Sequence, residues 1–355
     1  MELKPYPWQD AVWQQLAAMR GRVPHALLLF GARGIGKRQL ALAWAAGQLC
    51  ESPLPDGHAC GVCAGCQLLT ADNHPDLRRV VPAADAAPRA DEAGEGGEAP
   101  AAESSKAAKA SKVIRIDQVR ELDEFLSISS HRGGARIVVL APAEVMNIEA
   151  ASSLLKMLEE PPAGALFVLV ADDIDAVLPT VRSRCRLLRV PPPAPAVALA
   201  WLKDQGVDEA EARLAEAGGA PLAALEADDE RNALDPALKT RLLSLFALGR
   251  RIDSAELVGI IPKDIALTPA ITLLQRWSWD LLACRMGAGL RYYPGHAQSF
   301  ERLAQETSTE ALLRWMQELT QMRATSSHPL NARLAFERAV LAYREACAAQ
   351  PQERA

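Results

Sequence analysis

No run in this chain reaches the length of about 18 uncharged apolar residues that a membrane-crossing helix needs, so no span is expected. Nor is there an excess of positive charge. The formal charge over 355 residues is −5, which argues against a surface built mainly to grip nucleic acid. The first residues, with Glu2, Lys4, Gln9 and Asp10, lack the apolar core of a secretory leader. A cytoplasmic protein with reduced thiols is expected. Segment 83–112 lacks aromatics, Val, Ile, Leu and Thr. It begins acidic, with Asp91, Glu92, Glu95 and Glu98, and ends on Lys106, Lys109 and Lys112. It buries too little apolar surface to offset ordering, so a disordered, solvated insertion is expected, with an interaction tail as the alternative.

Two more absences concern chemistry. Residues 31–38 read Gly-Ala-Arg-Gly-Ile-Gly-Lys-Arg, a phosphate-binding loop without its last hydroxyl. Gly31, Gly36 and Lys37 fit the pattern, and Gly34 adds a further flexible position. Arg38 stands where Ser or Thr would hold Mg²⁺. The apolar run Ala26-Leu27-Leu28-Leu29-Phe30 before the loop reads as a buried strand, and 39–49 reads as a helix. Strand, Gly-rich turn and helix together are the setting in which backbone N–H groups face an anion. A bare Gly-rich turn is the simpler alternative. Lys37 and the amides could still hold phosphates, so nucleotide binding stays open. The second absence follows the apolar run Arg136-Ile137-Val138-Val139-Leu140. A hydrolysing site needs acidic residues there, but Ala141-Pro142-Ala143 follow and Glu144 comes late. Two missing metal-handling elements argue against hydrolysis.

What is present points to a multi-domain α/β protein. At this length two or three domains are expected. A first helix is expected over 8–20, and further strands over 77–81, 137–140, 166–170 and 187–190. Alternation with helices implies a mainly parallel sheet covered on both faces. Pro191-Pro192-Pro193 and Pro195 mark a boundary, and everything beyond reads as helical. Leu312, Trp315, Met316, Leu319 and Met322 share one helix face, as do Phe336, Val340 and Tyr343. Packed helix faces are the expected reading.

Cys50, Cys60, Cys63 and Cys66 form a C-x9-C-x2-C-x2-C cluster holding four of the seven cysteines. Four thiolates suit a closed, structural Zn²⁺ site, and Gly61, Ala64 and Gly65 permit tight turns. Disulfides fit a reducing compartment poorly. An iron–sulfur cluster is a further alternative, although no Cys-Pro follows. His58 and His74 are superfluous if four thiolates bind. Cys185, Cys284 and Cys347 stand alone and are expected to be buried small apolar residues. Finally, Arg182, Arg184, Arg186 and Arg189 cluster around Ser183 and Cys185. An arginine can stabilise a transferring phosphoryl group from a neighbouring subunit, although such turns are usually solvated or salt-bridged surface.

Several segments then meet in one pattern. They are Tyr6-Pro7-Trp8, the four-cysteine module, Asn73-His74-Pro75-Asp76, Ile116-Asp117-Gln118-Val119-Arg120, Leu154-Leu155-Lys156-Met157-Leu158-Glu159-Glu160-Pro161-Pro162, Ser183-Arg184-Cys185, and 329–343 with Asn331 and Leu334. In this order they resemble the clamp-loader subunits of bacterial DNA polymerase III, which belong to the AAA+ class. The resemblance implies an α/β AAA+ core (a RecA-like parallel sheet) over 1–190, with a zinc module at 50–66 and the insertion at 83–112. It implies a small helical lid domain over 191–233 and an all-α collar domain over 234–350. Within the family, Arg38, the missing acidic pair, and Leu222 where a second sensor arginine would align, set the chain apart from the gamma/tau motors. They fit the delta-prime branch, a stator without ATPase activity of its own.

For that branch the resemblance implies a structural Zn²⁺ on the four cysteines and a degenerate loop at Gly31, Gly34, Gly36 and Lys37. It implies Arg184 as an arginine finger acting in trans, worth about 10³-fold or more in hydrolysis if other fingers are a guide. The implied partners are gamma/tau and delta subunits in a ring that loads the sliding clamp onto primer-template DNA, with no membrane. An active gamma/tau-type ATPase and a zinc-dependent nucleic-acid module remain the alternatives. The insertion is not part of the family pattern.

Overall fold

The computed structural model describes residues 2–19, 22–85, 111–128, 130, 134–226, 234–325 and 331–348. The expected disordered insertion at 83–112 lies, between 86 and 110, outside the described residues. Its two described ends meet: the Ala84 N–H donates to the Ser111 carbonyl. The chain divides into two compact units, Met1–Ala194 and Pro195–Ala355.

In the first unit, apolar runs become strands because a parallel sheet covered on both faces buries every side chain of its central strands. The strands are β1 (Ala26–Phe30), β2 (Leu77–Val80), β3 (Arg136–Leu140), β4 (Ala165–Ala171) and β5 (Arg186–Arg189). They pair in parallel in the order β2-β3-β4-β1-β5. In the central pair Leu28 faces Leu169 and Phe30 faces Ala171, so the C-terminal ends of β1 and β4 lie side by side. The first unit's helices are α1 (Asp10–Ala18), α2 (Lys37–Leu49), α3 (Ala64–Thr70), α4 (Ile116–Ser127), α5 (Ile148–Glu159) and α6 (Pro179–Arg182). This is the expected parallel α/β sheet, with the loop after β1 at its C-terminal edge. Boundaries differ from expectation by one or two residues. Trp8 lies in a 3₁₀ turn, Pro7–Gln9, and α1 starts only at Asp10. One face of the sheet packs against α4 and α5 through Leu28, Phe167, Val119, Leu122, Leu154 and Leu158.

The second unit is helical. It contains α7 (Pro195–Asp204), α8 (Ala210–Glu216), α9 (Pro221–Leu225), α10 (Pro236–Phe246), α11 (Ser254–Ile260), α12 (Leu267–Arg285), α13 (Ala297–Glu306), α14 (Thr309–Thr325) and α15 (Ala332–Ala348). Among its described residues two apolar clusters form. A small one gathers Ala198, Leu202, Ala210, Leu214 and Ala224. A large one is built around Phe246, Trp277, Phe300, Trp315, Phe336 and Tyr343. Leu312, Trp315 and Leu319 of α14 are buried there, as are Phe336, Val340 and Tyr343 of α15, so both stripes face a core. Two of its polar tips pair with each other: the Trp277 indole donates to the Tyr343 hydroxyl, which donates to the Phe246 carbonyl. Among the described residues no helix is long and apolar enough to cross a membrane.

Of the isolated cysteines only Cys347 is fully buried. Cys185 and Cys284 are half-buried, which corrects the expectation of three buried thiols. Cys185 still packs against the sheet core, and burial pushes its thiol up to about 12.

Candidate functional site

The loop after β1 is shaped as the sequence predicts but already filled by the protein's own groups. Gly36 takes a left-handed φ of 85°, and a Cβ there would sit 2.4 Å from the Tyr6 ring, so only glycine fits. The N-terminal segment clasps the loop. The Trp8 and Gln9 side chains each donate to the Ile35 carbonyl at 3.0 Å, and the Tyr6 and Trp8 rings stack at 4.8 Å. Lys37 opens α2 with only 3% of its side chain exposed. Its ammonium donates to the Gly31 carbonyl at 2.8 Å, the Ala32 carbonyl at 2.6 Å and Asp172 Oδ1 at 2.6 Å. Three donors meet three acceptors, which is the full capacity of an ammonium. Arg38, next in sequence, is exposed.

Asp172 immediately follows β4, and its own N–H donates to Glu144 Oε1 at 2.9 Å. Glu144 is the late acidic residue after β3. Its other oxygen, Oε2, is buried without a hydrogen-bond partner among the described residues. Burial, and secondarily the Asp172 charge, raise the Glu144 carboxyl above its ordinary range. The Asp172 carboxylate thus pairs with Lys37, while Glu144 holds the Asp172 backbone amide. Sequence reasoning missed Asp172. The signal was the acidic pair Asp172-Asp173 directly after an apolar strand, but its partner lies 135 residues away.

The four expected cysteines do converge. The sulfurs of Cys50, Cys60, Cys63 and Cys66 all lie within 4.8 Å of one another. Cys50–Cys66 is 3.6 Å, Cys50–Cys63 3.8 Å and Cys60–Cys66 3.9 Å, with no disulfide. Tetrahedral Zn–S bonds of about 2.3 Å place sulfurs about 3.8 Å apart, so the donor set has the right spacing and chemistry for a metal ion. Backbone amides support it: the N–H groups of Cys60, Cys63 and Cys66 point at the sulfurs of Cys50, Cys60 and Cys63. N–H groups of Val62 and Cys63 hold the Cys60 thiol down at about 6, which favours a thiolate ligand. Trp13 of α1 anchors the loop by donating to the Asp56 carbonyl and stacking on His58 at 4.1 Å. His58 and His74 stand outside the cluster. His74 Nδ1 instead accepts the Asp76 N–H.

The arginine turn joins α6 to the edge strand β5. Arg182 is spent on its own turn, donating to the Ile174 carbonyl and Asp175. Arg184 Nη1 donates to the Thr180 carbonyl at 2.9 Å, and Nη2 pairs with Glu159, the last residue of α5. A third of the Arg184 side chain, 34%, is exposed. The loop, the thiolate cluster and the arginine turn all lie in the first unit, but they are three places and not one site.

A family model described as DNA polymerase III, delta subunit, matches residues 8–194, a stretch that contains all three. The chain belongs to the DNA polymerase III delta-prime family. It is 41% identical over 223 residues to the delta-prime subunit of Pseudomonas aeruginosa, covering 62% of this chain and 60% of that one. It is 34% identical over 226 residues to the Escherichia coli subunit, again covering 62% of this chain and 60% of that one. These two alignments therefore span less than two thirds of those relatives. The Yersinia pestis subunit aligns more fully, at 30% identity over 333 residues, 90% of this chain and 88% of that one. Among solved structures, a gamma subunit-related protein of Thermotoga maritima is similar at a TM-score of 0.46 and 17% identity, covering 96% and 99%.

Proposed function

We propose that this delta-prime family member is a non-hydrolysing subunit of a clamp loader that supplies Arg184 to a neighbour's ATP. The observation that carries this reading is the state of Lys37. A phosphate-binding lysine must leave donors for phosphate, and Mg²⁺ needs a hydroxyl and nearby carboxylates. Here Lys37 is saturated by Asp172 and two carbonyls, Arg38 replaces the hydroxyl, and Glu144 is turned to the Asp172 amide. The loop at Gly31, Gly34, Gly36 and Lys37 then works as a pin between β1 and β4. Arg184 is partly exposed at the turn before an edge strand, on a side that a neighbouring subunit could approach.

In the full reading the partners are gamma/tau and delta subunits. The ring loads the sliding clamp onto primer-template DNA in the cytoplasm, with no membrane involved. Residues 191–233 serve as a helical lid and 234–350 as the collar that holds the ring together. Cys50, Cys60, Cys63 and Cys66 hold a structural Zn²⁺ that knots the segment between α2 and α3. Four thiolates leave no open position, so this ion supplies rigidity and no reaction.

The test has two parts. The isolated chain is expected to show no Mg²⁺-dependent ATP turnover. In the reconstituted complex, Arg184→Ala is expected to lower turnover by about 10³-fold without dissociating the ring. Normal turnover in that variant sinks the finger assignment. Hydrolysis by the lone chain, abolished by Lys37→Ala, would instead establish a gamma/tau-type motor.

A further inference from the structure

Arg184 is held by two kinds of acceptor, and they do different things. The Thr180 carbonyl takes Nη1 at 2.9 Å, with Ser183 Oγ a weaker contact at 3.4 Å. Ser183 Oγ donates to the same Thr180 carbonyl at 3.0 Å, so the turn is internally braced. These acceptors are uncharged. They fix the plane of the guanidinium and leave its charge intact. Glu159 takes the other arm, Nη2, with a full negative charge.

Glu159 is not where helix stability alone would put a carboxylate. It is the last residue of α5, and the negative end of the helix dipole disfavours an anion there. Lys156, one turn earlier, suits that end, whereas Glu159 does not. Its compensation is Arg184, reached across from α5 to the turn after α6. Half of the Glu159 side chain, 50%, is solvent-exposed, so the pair is a weak one that a stronger anion can break. A triphosphate carries more negative charge than one carboxylate and meets the same guanidinium fork bidentately.

The geometry points to Glu159 as a charge mask on Arg184. While the subunit has no neighbour, Glu159 neutralises the guanidinium and Thr180 keeps it aimed. When a neighbouring ATP docks, its phosphate displaces Glu159, and the freed charge acts on the transferring group. Glu159 is thus a positioning residue that works through Arg184 and opposes it. This inference rests on Arg184 being a finger in trans.

The experiment uses the full reconstituted clamp loader with wild-type, Glu159→Gln, Glu160→Gln, Arg184→Ala or doubly substituted Glu159→Gln/Arg184→Ala subunits. Gln keeps the shape and a hydrogen-bonding oxygen but removes the charge. Glu159→Gln is expected to raise the maximal ATP turnover about 1.5- to 5-fold at low salt, the range of an exposed ion pair. The gain is expected to shrink toward unity at high salt, where screening already weakens the mask. Glu160→Gln is expected to leave turnover unchanged, and the double variant to match Arg184→Ala. A lowered or unchanged turnover in Glu159→Gln, or a gain insensitive to salt, overturns the mask. Undiminished turnover in Arg184→Ala overturns the finger reading itself, whatever Glu159 does.

Discussion

Replacing Asp172 by Asn asks what the Lys37 ion pair contributes. Asn keeps an acceptor oxygen for the ammonium and the backbone N–H for Glu144, and only the charge is lost. Lys37 has 3% of its side chain exposed and Asp172 has 35%, so the pair is half-sheltered. Removing one partner of a fully buried pair costs about 3–5 kcal/mol. A hydrogen bond to a charged group is worth about 1.5–3 kcal/mol, and exposure of Asp172 favours that lower range. The unit that contains the pair spans Met1–Ala194, a size at which each kcal/mol moves Tm by about 2–4 °C. The expected fall is therefore about 3–12 °C. Calorimetry of the full chain reads it. Asp173→Asn is the control, because that neighbour is exposed and surface changes usually stay within about 0.5 kcal/mol. A fall no larger than that of the control refutes the reasoning, because Lys37 would then be satisfied by its two carbonyls alone.

Glu144 gives a pH test. Its carboxyl titrates above its unfolded value of 4.5 because burial penalises the charged form. A raised acid pKa means the folded state binds the proton more tightly, so stability is lost as pH rises through the folded value. Glu144→Gln removes that loss, so its stability relative to wild type is expected to improve as pH rises above the ordinary carboxylate range. A difference that stays flat with pH counts against it. The purified protein is also expected to carry stoichiometric zinc. Cys63→Ser is expected to lose the metal and to speed hydrogen exchange across 50–66. A metal-free native protein whose four thiols react freely at full stability contradicts the assignment.

Local pattern was enough for much of this protein. The buried strands were legible because a parallel sheet with both faces covered leaves no polar alternation, so Ala26–Phe30 and Ala165–Ala171 read as plain apolar runs. The ends of β3 and β4 shifted by a residue because flanking positions such as Arg136 and Ala171 join the ladder through backbone, whatever their side chains. The phosphate loop and the cysteine cluster were legible because turn geometry ties their function to fixed short spacings. The partly exposed Cys185 and Cys284 were misjudged, since composition says nothing of which side of a helix or turn meets solvent.

The sequence by itself determined which groups were present: a lysine at the end of a glycine loop, four thiols at metal-binding spacing, and an arginine between Ser183 and Cys185. Only the tertiary structure decided what each charged group faces. Strand order places β4 beside β1 in parallel, so their C-terminal ends share one edge and Asp172 reaches Lys37. The packing of α5 near the turn after α6 likewise brings Glu159 to Arg184. Both pairings join residues distant in the chain, and a Coulomb interaction depends on separation in space, which no local spacing encodes.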